Sequence, residues 1–328
     1  MKKLSAAILL LMIAFIPFYF VACSDEPKKA TTDATETPKA NEDSLKKVVE
    51  RGAYLANHVS VCMDCHSKRD WSKFAGPIVP GTEGMGGELF DNNLTKNLPG
   101  AVYAKNITPD VETGIGGWTD QEIIRAMTQG ISKNGDTLFP LMPYPAFNRM
   151  AKEDLLSIVA YIRTLKPIKN EVPARHLMIP ISMAYPPGLK SSIDSNMAPP
   201  MDNQVAYGGY LAMMSNCSDC HTPMIKGVPD FKHMLSGGTA FNLGTFKVTS
   251  ANVTPDSATG IGTWTEERFL NKFTAYRKEE SYNFVAGKQN TIMPLTFYAG
   301  MTEEDLKAIY AFIKTIPAVK NKVEKYPK

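Results

Sequence analysis

The sequence predicts an all-α fold made of two tandem copies of one domain. Two blocks of residues from the first half of the chain recur almost unchanged in the second half, which indicates an internal duplication. In both copies, apolar residues recur at helical spacing near the beginning and near the end. A stretch with seven prolines separates the copies, which is typical of an extended strap rather than of a helix.

Length and composition agree with two soluble domains. The chain has 328 residues, of which 44% are hydrophobic and 21% charged, as in ordinary globular proteins. Along the chain, the sequence predicts an export signal at 1–22, a flexible linker at 23–43, a first domain at 44–166, a proline-rich interdomain strap at 167–203 and a second domain at 204–328. We refer to the two domains as the first unit and the second unit.

The amino terminus has the pattern of an export signal. Lys2 and Lys3 precede a run without charged residues that ends at Cys23, as in the lipobox of bacterial lipoproteins. An uncleaved membrane helix is the alternative, because the run approaches the roughly 20 residues that cross a bilayer. We favour lipidation of Cys23, because Pro17 interrupts the run. Both interpretations predict a bacterial protein anchored to a membrane outside the cytoplasm, at the periplasmic face or the cell surface.

The charge balance argues against nucleic acid as a partner. The chain has 36 Lys and Arg against 33 Asp and Glu, and removal of residues 1–22 takes away two lysines and no acid, which leaves a formal charge of +1. A nearly neutral chain has no strong field for a polyanion. We therefore expect protein partners and a membrane surface instead.

All cysteines after residue 23 lie in two Cys-x-x-Cys-His motifs. The motifs are formed by Cys62, Cys65 and His66, and by Cys217, Cys220 and His221. This motif attaches c-type haem, because two thiols one helical turn apart can bond the porphyrin edge while the adjacent imidazole reaches the iron. The sequence thus predicts two covalently bound haem c groups. A thioredoxin-like redox pair and a four-cysteine zinc site share the Cys-x-x-Cys spacing, but neither explains the histidine after both pairs.

Two loop segments recur almost letter for letter in the two units. The segments NITPD at 106–110 and TGIGGWT at 113–119 become NVTPD at 252–256 and TGIGTWT at 259–265. The threonine after each tryptophan is a favourable helix N-cap, so Trp118 and Trp264 lie where a loop enters a helix. The two tryptophans either pack in the core or line the haem site, with the indole N–H donating to a propionate.

Each unit closes with a Met-Pro pair and an amphipathic helix. Met142 precedes a helical pattern at 152–165, and Met293 precedes the matching pattern at 303–316. A methionine more often fills a core than binds a metal, so its position has to decide. These two stand 76 and 72 residues after the haem histidines, and the proline after each helps to hold the loop extended. We expect Met142 and Met293 to be the sixth ligands of the two irons. The alternatives are Met85 and Met127 in the first unit and Met224 and Met234 in the second.

These motifs, together with Gly86-Gly87 and Phe90 and with Gly237-Gly238 and Phe241, carry a family resemblance over about 45–318. The chain resembles the c-type cytochrome subunits of membrane-bound alcohol, aldehyde and gluconate dehydrogenases, and related diheme cytochromes. The resemblance implies two tandem class I cytochrome c domains with electrons passing between their irons. Those subunits commonly carry three haem domains, whereas this chain has two motifs. The identity of their electron donor therefore cannot be transferred to this chain.

The function expected from these residues is one-electron transfer. An iron bound by histidine and methionine is six-coordinate, which disfavours substrate binding, and we therefore expect no catalytic residue. The donor would be a periplasmic or membrane dehydrogenase or a quinol-oxidising complex, and the acceptor another cytochrome or a terminal oxidase. A role as a subunit of a dehydrogenase complex agrees with the resemblance. The alternatives are a diheme peroxidase with one substrate-accessible haem and a haem-dependent structural subunit of a respiratory complex.

Overall fold

The two units present the same series of helices. The computed structural model describes residues 39–94, 98–225 and 227–327. The helices of the first unit are α1 (Lys39–Tyr54), α2 (Cys62–His66), α3 (Asp120–Gln129), α4 (Tyr144–Phe147) and α5 (Lys152–Ile162). Those of the second unit are α6 (Gln204–Met214), α7 (Cys217–His221), α8 (Glu266–Thr274), α9 (Leu295–Tyr298) and α10 (Glu303–Ile313). The helices expected to open and close each unit are therefore present in both.

Helix α1 begins earlier than the predicted start of the first unit at 44. It starts at Lys39, so the last residues of the predicted flexible linker are helical. Glu42 lies in the first turn of α1, where a carboxylate interacts favourably with the positive end of the helix dipole. Cys23 and the export signal lie outside the described residues. Within the described part of the chain, no helix is both long and apolar enough to cross a membrane.

The prediction of an all-α fold is wrong in one respect, because short antiparallel strands are also present. A three-stranded sheet contains β1 (Leu89–Asp91), β2 (Gly100–Tyr103) and β3 (His176–Leu177), and two hairpins contain β4 (Met224–Ile225) with β5 (Val228–Pro229) and β6 (Ala240–Asn242) with β7 (Lys247–Thr249). Phe90 pairs with Val102, as Phe241 pairs with Val248 in the second unit. Strands of two to four residues are too short to show a period-two pattern in the sequence.

The segment between α5 and α6 is extended and packs on the first unit. It contains no α-helix, and its strand β3 pairs with β2. The buried side chain of Asn196 donates to the carbonyl of Asn148 at 2.8 Å and to that of Met150 at 3.1 Å. Tyr185 Oη donates to the carbonyl of Gln129 at 2.8 Å. These bonds fix the segment to backbone carbonyls of the first unit.

The two units exchange equivalent hydrogen bonds across their interface. Tyr54 Oη in α1 donates to Asp305 Oδ2 at 2.5 Å, and Tyr210 Oη in α6 donates to Asp154 Oδ2 at 2.6 Å. Each acceptor is a buried aspartate in the first turn of the other unit's closing helix, α10 or α5. Arg51 donates to Asp154 from the same unit at 2.9 Å. The interface is thus pseudo-symmetric, and residues Ala40–Lys328 form one compact body.

Within each unit, the opening and closing helices touch through a glycine. A Cβ atom added at Gly52 would lie 1.8 Å from the carbonyl oxygen of Ser157, and one added at Gly208 would lie 1.8 Å from that of Ala308. Backbone atoms cannot move aside as a flexible side chain can. These glycines therefore set the distance between the helix that leads into each Cys-His motif and the helix that closes the unit.

We expect Gly208→Ala to destabilise the second unit by about 1–3 kcal/mol or more, because the added methyl group overpacks a backbone contact. Gly209→Ala is the matched control, since its Cβ would meet only the ring of Phe312, at 3.1 Å. Denaturant unfolding of both variants measures the difference. Equal midpoints for the two variants would show that the helices do not depend on this contact.

Candidate functional site

Each Cys-His motif is directly preceded by a residue in the left-handed region of backbone conformation. Val61 has φ 43° and ψ 45°, and Asn216 has φ 52° and ψ 32°. This conformation is uncommon for residues other than glycine, and it is sterically less favourable for the β-branched Val61 than for Asn216. The turn starts a new helix, α2 or α7, in which the two cysteines are three residues apart and share one face.

The histidine of each motif is held by one hydrogen bond to the backbone. Nδ1 of His66 lies 2.7 Å from the carbonyl oxygen of Lys105, and Nδ1 of His221 lies 2.7 Å from that of Ala251. A carbonyl only accepts, so Nδ1 carries the proton and Nε2 keeps a free lone pair. Burial lowers the pKa of both imidazoles, which favours the neutral, ligating form. This is the usual arrangement of a metal-binding histidine and its supporting partner.

The repeated Asn-x-Thr-Pro block holds the carbonyl groups that orient these histidines. Asn252 follows Ala251, and its Oδ1 accepts from the amide of Thr254 at 3.0 Å and from Thr254 Oγ1 at 2.7 Å. Its Nδ2 donates to the carbonyl of Val319 at 2.7 Å. Asn106 makes the same bonds to Thr108 in the first unit and donates to the carbonyl of Ile168. The near-identity of the two blocks therefore reflects an identical support for the imidazole.

A glycine fits the chain closely beside each histidine. Gly237 has φ +75° and its amide donates to the carbonyl of His221 at 2.6 Å. An added Cβ would lie 2.4 Å from the carbonyl carbon of Ala251. Gly86 also has a positive φ, and its amide donates to the carbonyl of His66 at 2.8 Å. The paired glycines of the sequence thus allow the backbone to pass close to the motif.

In the second unit, the predicted site residues line one cavity of about 460 Å³. Cys217, Cys220, His221 and Met293 all contribute to its wall. The other wall residues are mostly apolar and include Phe241, Val248, Ile261, Trp264, Phe269, Phe273, Leu295, Leu306, Ile309 and Ile313. The volume lies in the range of about 300–1,000 Å³ that cofactor sites occupy. The alternatives Met224 and Met234 are not part of this wall.

These residues fit a covalently attached haem. Two thiols on one helix face, an imidazole with a free Nε2 and a thioether sulfur surround an apolar space, which matches the donors that c-type haem requires. Trp264, which the sequence placed in the core or beside the haem, lies half-buried in the cavity wall. The guanidinium of Arg268 lies 4.5 Å from the centre of its ring.

The first unit repeats the methionine turn of the second. The amide of Tyr144 donates to the carbonyl of Met142 at 2.7 Å, and the amide of Leu295 donates to that of Met293 at 2.7 Å. Met142, Cys62 and Trp118 are partly buried against the hydrophobic core. The alternative Met127 lies in α3 with 6% of its surface exposed. Both predicted ligand methionines thus occupy the same kind of turn before a short helix.

Two interface residues could not be recognised as important from the motifs. Nδ1 of His58, which lacks a histidine counterpart in the second unit, lies 3.0 Å from the carbonyl oxygen of Phe297 across the interface. Tyr298 is buried and donates to the carbonyl of Ser215 at 2.6 Å. Burial is the main cause that raises the pKa of Tyr298, and the nearby thiols of both motifs raise it further. The sequence indicates Tyr298 only through Phe147, an aromatic residue at the corresponding place after Met142 in the first unit.

The rival chemistries of the Cys-x-x-Cys spacing find little support in the geometry. Burial raises the pKa of the Cys62 and Cys217 thiols to about 12, whereas disulfide oxidoreductases need a lowered thiol pKa. Among the described residues, no three His, Cys, Asp or Glu side chains converge to hold a metal ion, as a zinc site would require.

Comparison with known proteins agrees with this site. Residues 205–317 match the family model of cytochrome c. The second unit is therefore a cytochrome c domain, and this family implies covalently bound haem c.

The curated relatives extend the similarity to the rest of the chain. The cytochrome c subunit of alcohol dehydrogenase (quinone) from Gluconacetobacter polyoxogenes is 32% identical over 308 residues, which cover 88% of this chain and 59% of the relative. The gluconate 2-dehydrogenase cytochrome c subunit from Pantoea cypripedii is 28% identical, with 85% and 62% covered. A diheme cytochrome c-type protein from Cereibacter sphaeroides is 25% identical, with 79% and 82% covered. The predicted resemblance is confirmed, although the chain spans only about three fifths of the dehydrogenase subunits it matches.

Proposed function

We propose that this protein is a diheme cytochrome c, made of two tandem class I domains, that transfers single electrons. The observation that carries the proposal is the cavity of the second unit, whose wall combines both cysteines of a haem motif with His221 and Met293. The equivalent Nδ1 bonds of His66 and His221 extend the assignment to the first unit. In each unit the cysteines form the thioether bonds, and the iron ligands are His66 with Met142 and His221 with Met293.

The residues of the chain divide the work of electron transfer between them. When bound, the haem iron supplies a one-electron couple whose potential depends on its axial ligands. The backbone carbonyls of Lys105 and Ala251 hold the imidazoles in one orientation and tautomer. The apolar cavity wall limits the access of water, which favours the less charged, reduced state. Trp118 and Trp264 complete the surroundings of the two haems.

The partners we propose follow from the relatives and from the amino terminus. The relatives are named as cytochrome c subunits of alcohol and gluconate dehydrogenases and as the cytochrome subunit of fructose dehydrogenase. We infer that this protein accepts electrons from a membrane dehydrogenase or quinol-oxidising donor and passes them to a cytochrome or terminal oxidase. The lipobox-like end of the export signal supports an anchor through Cys23, outside the cytoplasm.

Electron paramagnetic resonance and stopped-flow spectroscopy of the purified haem-loaded chain test this function. We expect only low-spin ferric signals, rapid reduction of both haems by a small quinol and reoxidation by a soluble cytochrome c. A high-spin ferric haem with turnover of hydrogen peroxide would instead identify a diheme peroxidase. Failure to exchange electrons with any soluble carrier would favour a structural subunit.

A further inference from the structure

The two units differ in length at several places, and two of these places meet in the structure. Gly86 follows His66 by 20 residues, whereas Gly237 follows His221 by only 16. Conversely, Met293 follows the end of α8 by 19 residues, whereas Met142 follows the end of α3 by 13. The longer segment of the first unit, between His66 and Gly86, includes residues 69–76, which we name the docking loop. That of the second unit includes residues 276–293, which we name the ligand segment.

The side chain of Asn290 joins the ligand segment to the docking loop. Its Oδ1 accepts from the amide of Ala75 at 2.8 Å, and its Nδ2 donates to the carbonyl of Lys73 at 2.9 Å and to that of Trp71 at 3.2 Å. Oδ1 also accepts from the amide of Thr291 at 2.8 Å. All four hydrogen-bonding positions of the amide are therefore used. Only 1% of Asn290 is exposed, so water cannot replace these partners.

An aromatic contact supports the same junction. The ring of Phe74 from the docking loop stacks on Tyr276, with ring centres 5.2 Å apart, and on Phe284, at 5.4 Å. The amide of Phe74 donates to the carbonyl of Phe284 at 3.1 Å. Stacked aromatic pairs add to the free energy of burial. The docking loop thus contacts the ligand segment near both of its ends, at Tyr276 and at Asn290.

The junction continues directly into the methionine turn. Thr291, which is 5% exposed, accepts from the amide of Met293 through Oγ1 at 3.1 Å. Thr291 and Met293 both line the cavity of the second unit. In the first unit, the amide of Met142 instead donates to the nearby carbonyl of Phe139, at 3.2 Å. The approach to Met142 is therefore local, whereas the approach to Met293 depends on the other unit.

We propose that Asn290 is a positioning residue for Met293, and that the docking loop of the first unit thereby controls the ligation of the second haem. The proposal rests on the function proposed above, in which Met293 binds iron. Without the amide of Asn290, three backbone groups of the docking loop lose their partner, and the turn at Met293 loses its support. Met293 would then no longer be held in the position from which it binds the second iron.

The weak far-red band of ferric haem with a methionine ligand tests the proposal in the full-length, haem-loaded chain. In a Met142→Leu background only the second unit contributes this band, and we expect Asn290→Ala to remove more than half of it. Phe74→Leu, a change in the other unit, should also weaken the band. The control is Asn283→Ala, since the side chain of Asn283 is exposed and donates to Glu279 Oε1 within its own segment, at 3.0 Å. In this control the band should persist.

A second background separates positioning from general damage. In Met293→Leu, the remaining band comes from the first unit, and Asn290→Ala should leave it unchanged. An unchanged band for Asn290→Ala in the Met142→Leu background overturns the proposal alone, and so does loss of the band in both backgrounds. Absence of any band in Met142→Leu with Asn290 intact overturns the assignment of Met293 itself, and the proposal with it.

Discussion

Replacing Cys217 and Cys220 together by serine will remove one haem from the protein and leave the other attached. Under the proposed assignment, the change removes both thioether bonds to the second haem, and ligation by His221 and Met293 alone would not retain a haem through denaturation. We expect the haem absorbance per polypeptide to fall by half after denaturing chromatography. The second unit should also unfold at a lower temperature, because its apolar cavity of about 460 Å³ no longer holds its cofactor permanently.

The reciprocal pair Cys62→Ser and Cys65→Ser is the matched comparison. It should also halve the covalent haem, but it should leave the spectrum of the second unit in place. Retention of both haems in either double variant would contradict the assignment of that motif as an attachment site.

The second large effect is expected from Met293→Leu. Leucine keeps the volume of the turn and removes the sulfur, so under the proposed assignment the second iron would lose its sixth ligand. Methionine ligation raises the potential of haem iron, so the midpoint of one haem should fall, on the order of 0.1 V, and one far-red band should disappear. A spectroelectrochemical titration measures both changes at once.

Met234→Leu provides the control for this experiment. Met234 belongs to the same unit and packs partly buried against the core, but it does not line the cavity. Its replacement should leave both midpoints unchanged. If Met234→Leu shifts a midpoint and Met293→Leu does not, the ligand was assigned to the wrong methionine.

The sequence carried most of the local information about the site. The repeated motifs, the N-caps at Thr119 and Thr265 and the Met-Pro turns are local patterns, and the structure contains them where they were expected. The role of the Asn-x-Thr-Pro block was less visible, because its amide orients a carbonyl that bonds to a distant histidine. The strands escaped detection because each has only two to four residues.

Contacts between the units could not be predicted from the sequence. Tyr54 and Asp305 are 251 residues apart, and no local pattern marks them as partners. The same is true of Asn290 and the docking loop, since both lie in segments that the duplication does not share. Such contacts depend on how two finished units pack, which is a tertiary property. The lipid anchor at Cys23 and the iron ligands stay predictions.

The pseudo-symmetric interface has a consequence for electron transfer. The exchanged tyrosine–aspartate bonds hold the two units in one body, and Tyr298 lies near the thiols of both Cys-His motifs. A fixed separation between the two sites would let an electron pass from one to the other without any movement of the chain. If both units bind haem as proposed, the asymmetric support of Met293 would give the two haems different surroundings.

Intact mass spectrometry of the full-length chain, produced in a host that matures c-type cytochromes, tests the central claim most directly. The account predicts a single species whose mass exceeds that of the processed polypeptide by two haems and that keeps both under denaturing conditions. A polypeptide with no covalent haem, or with only one, would contradict it.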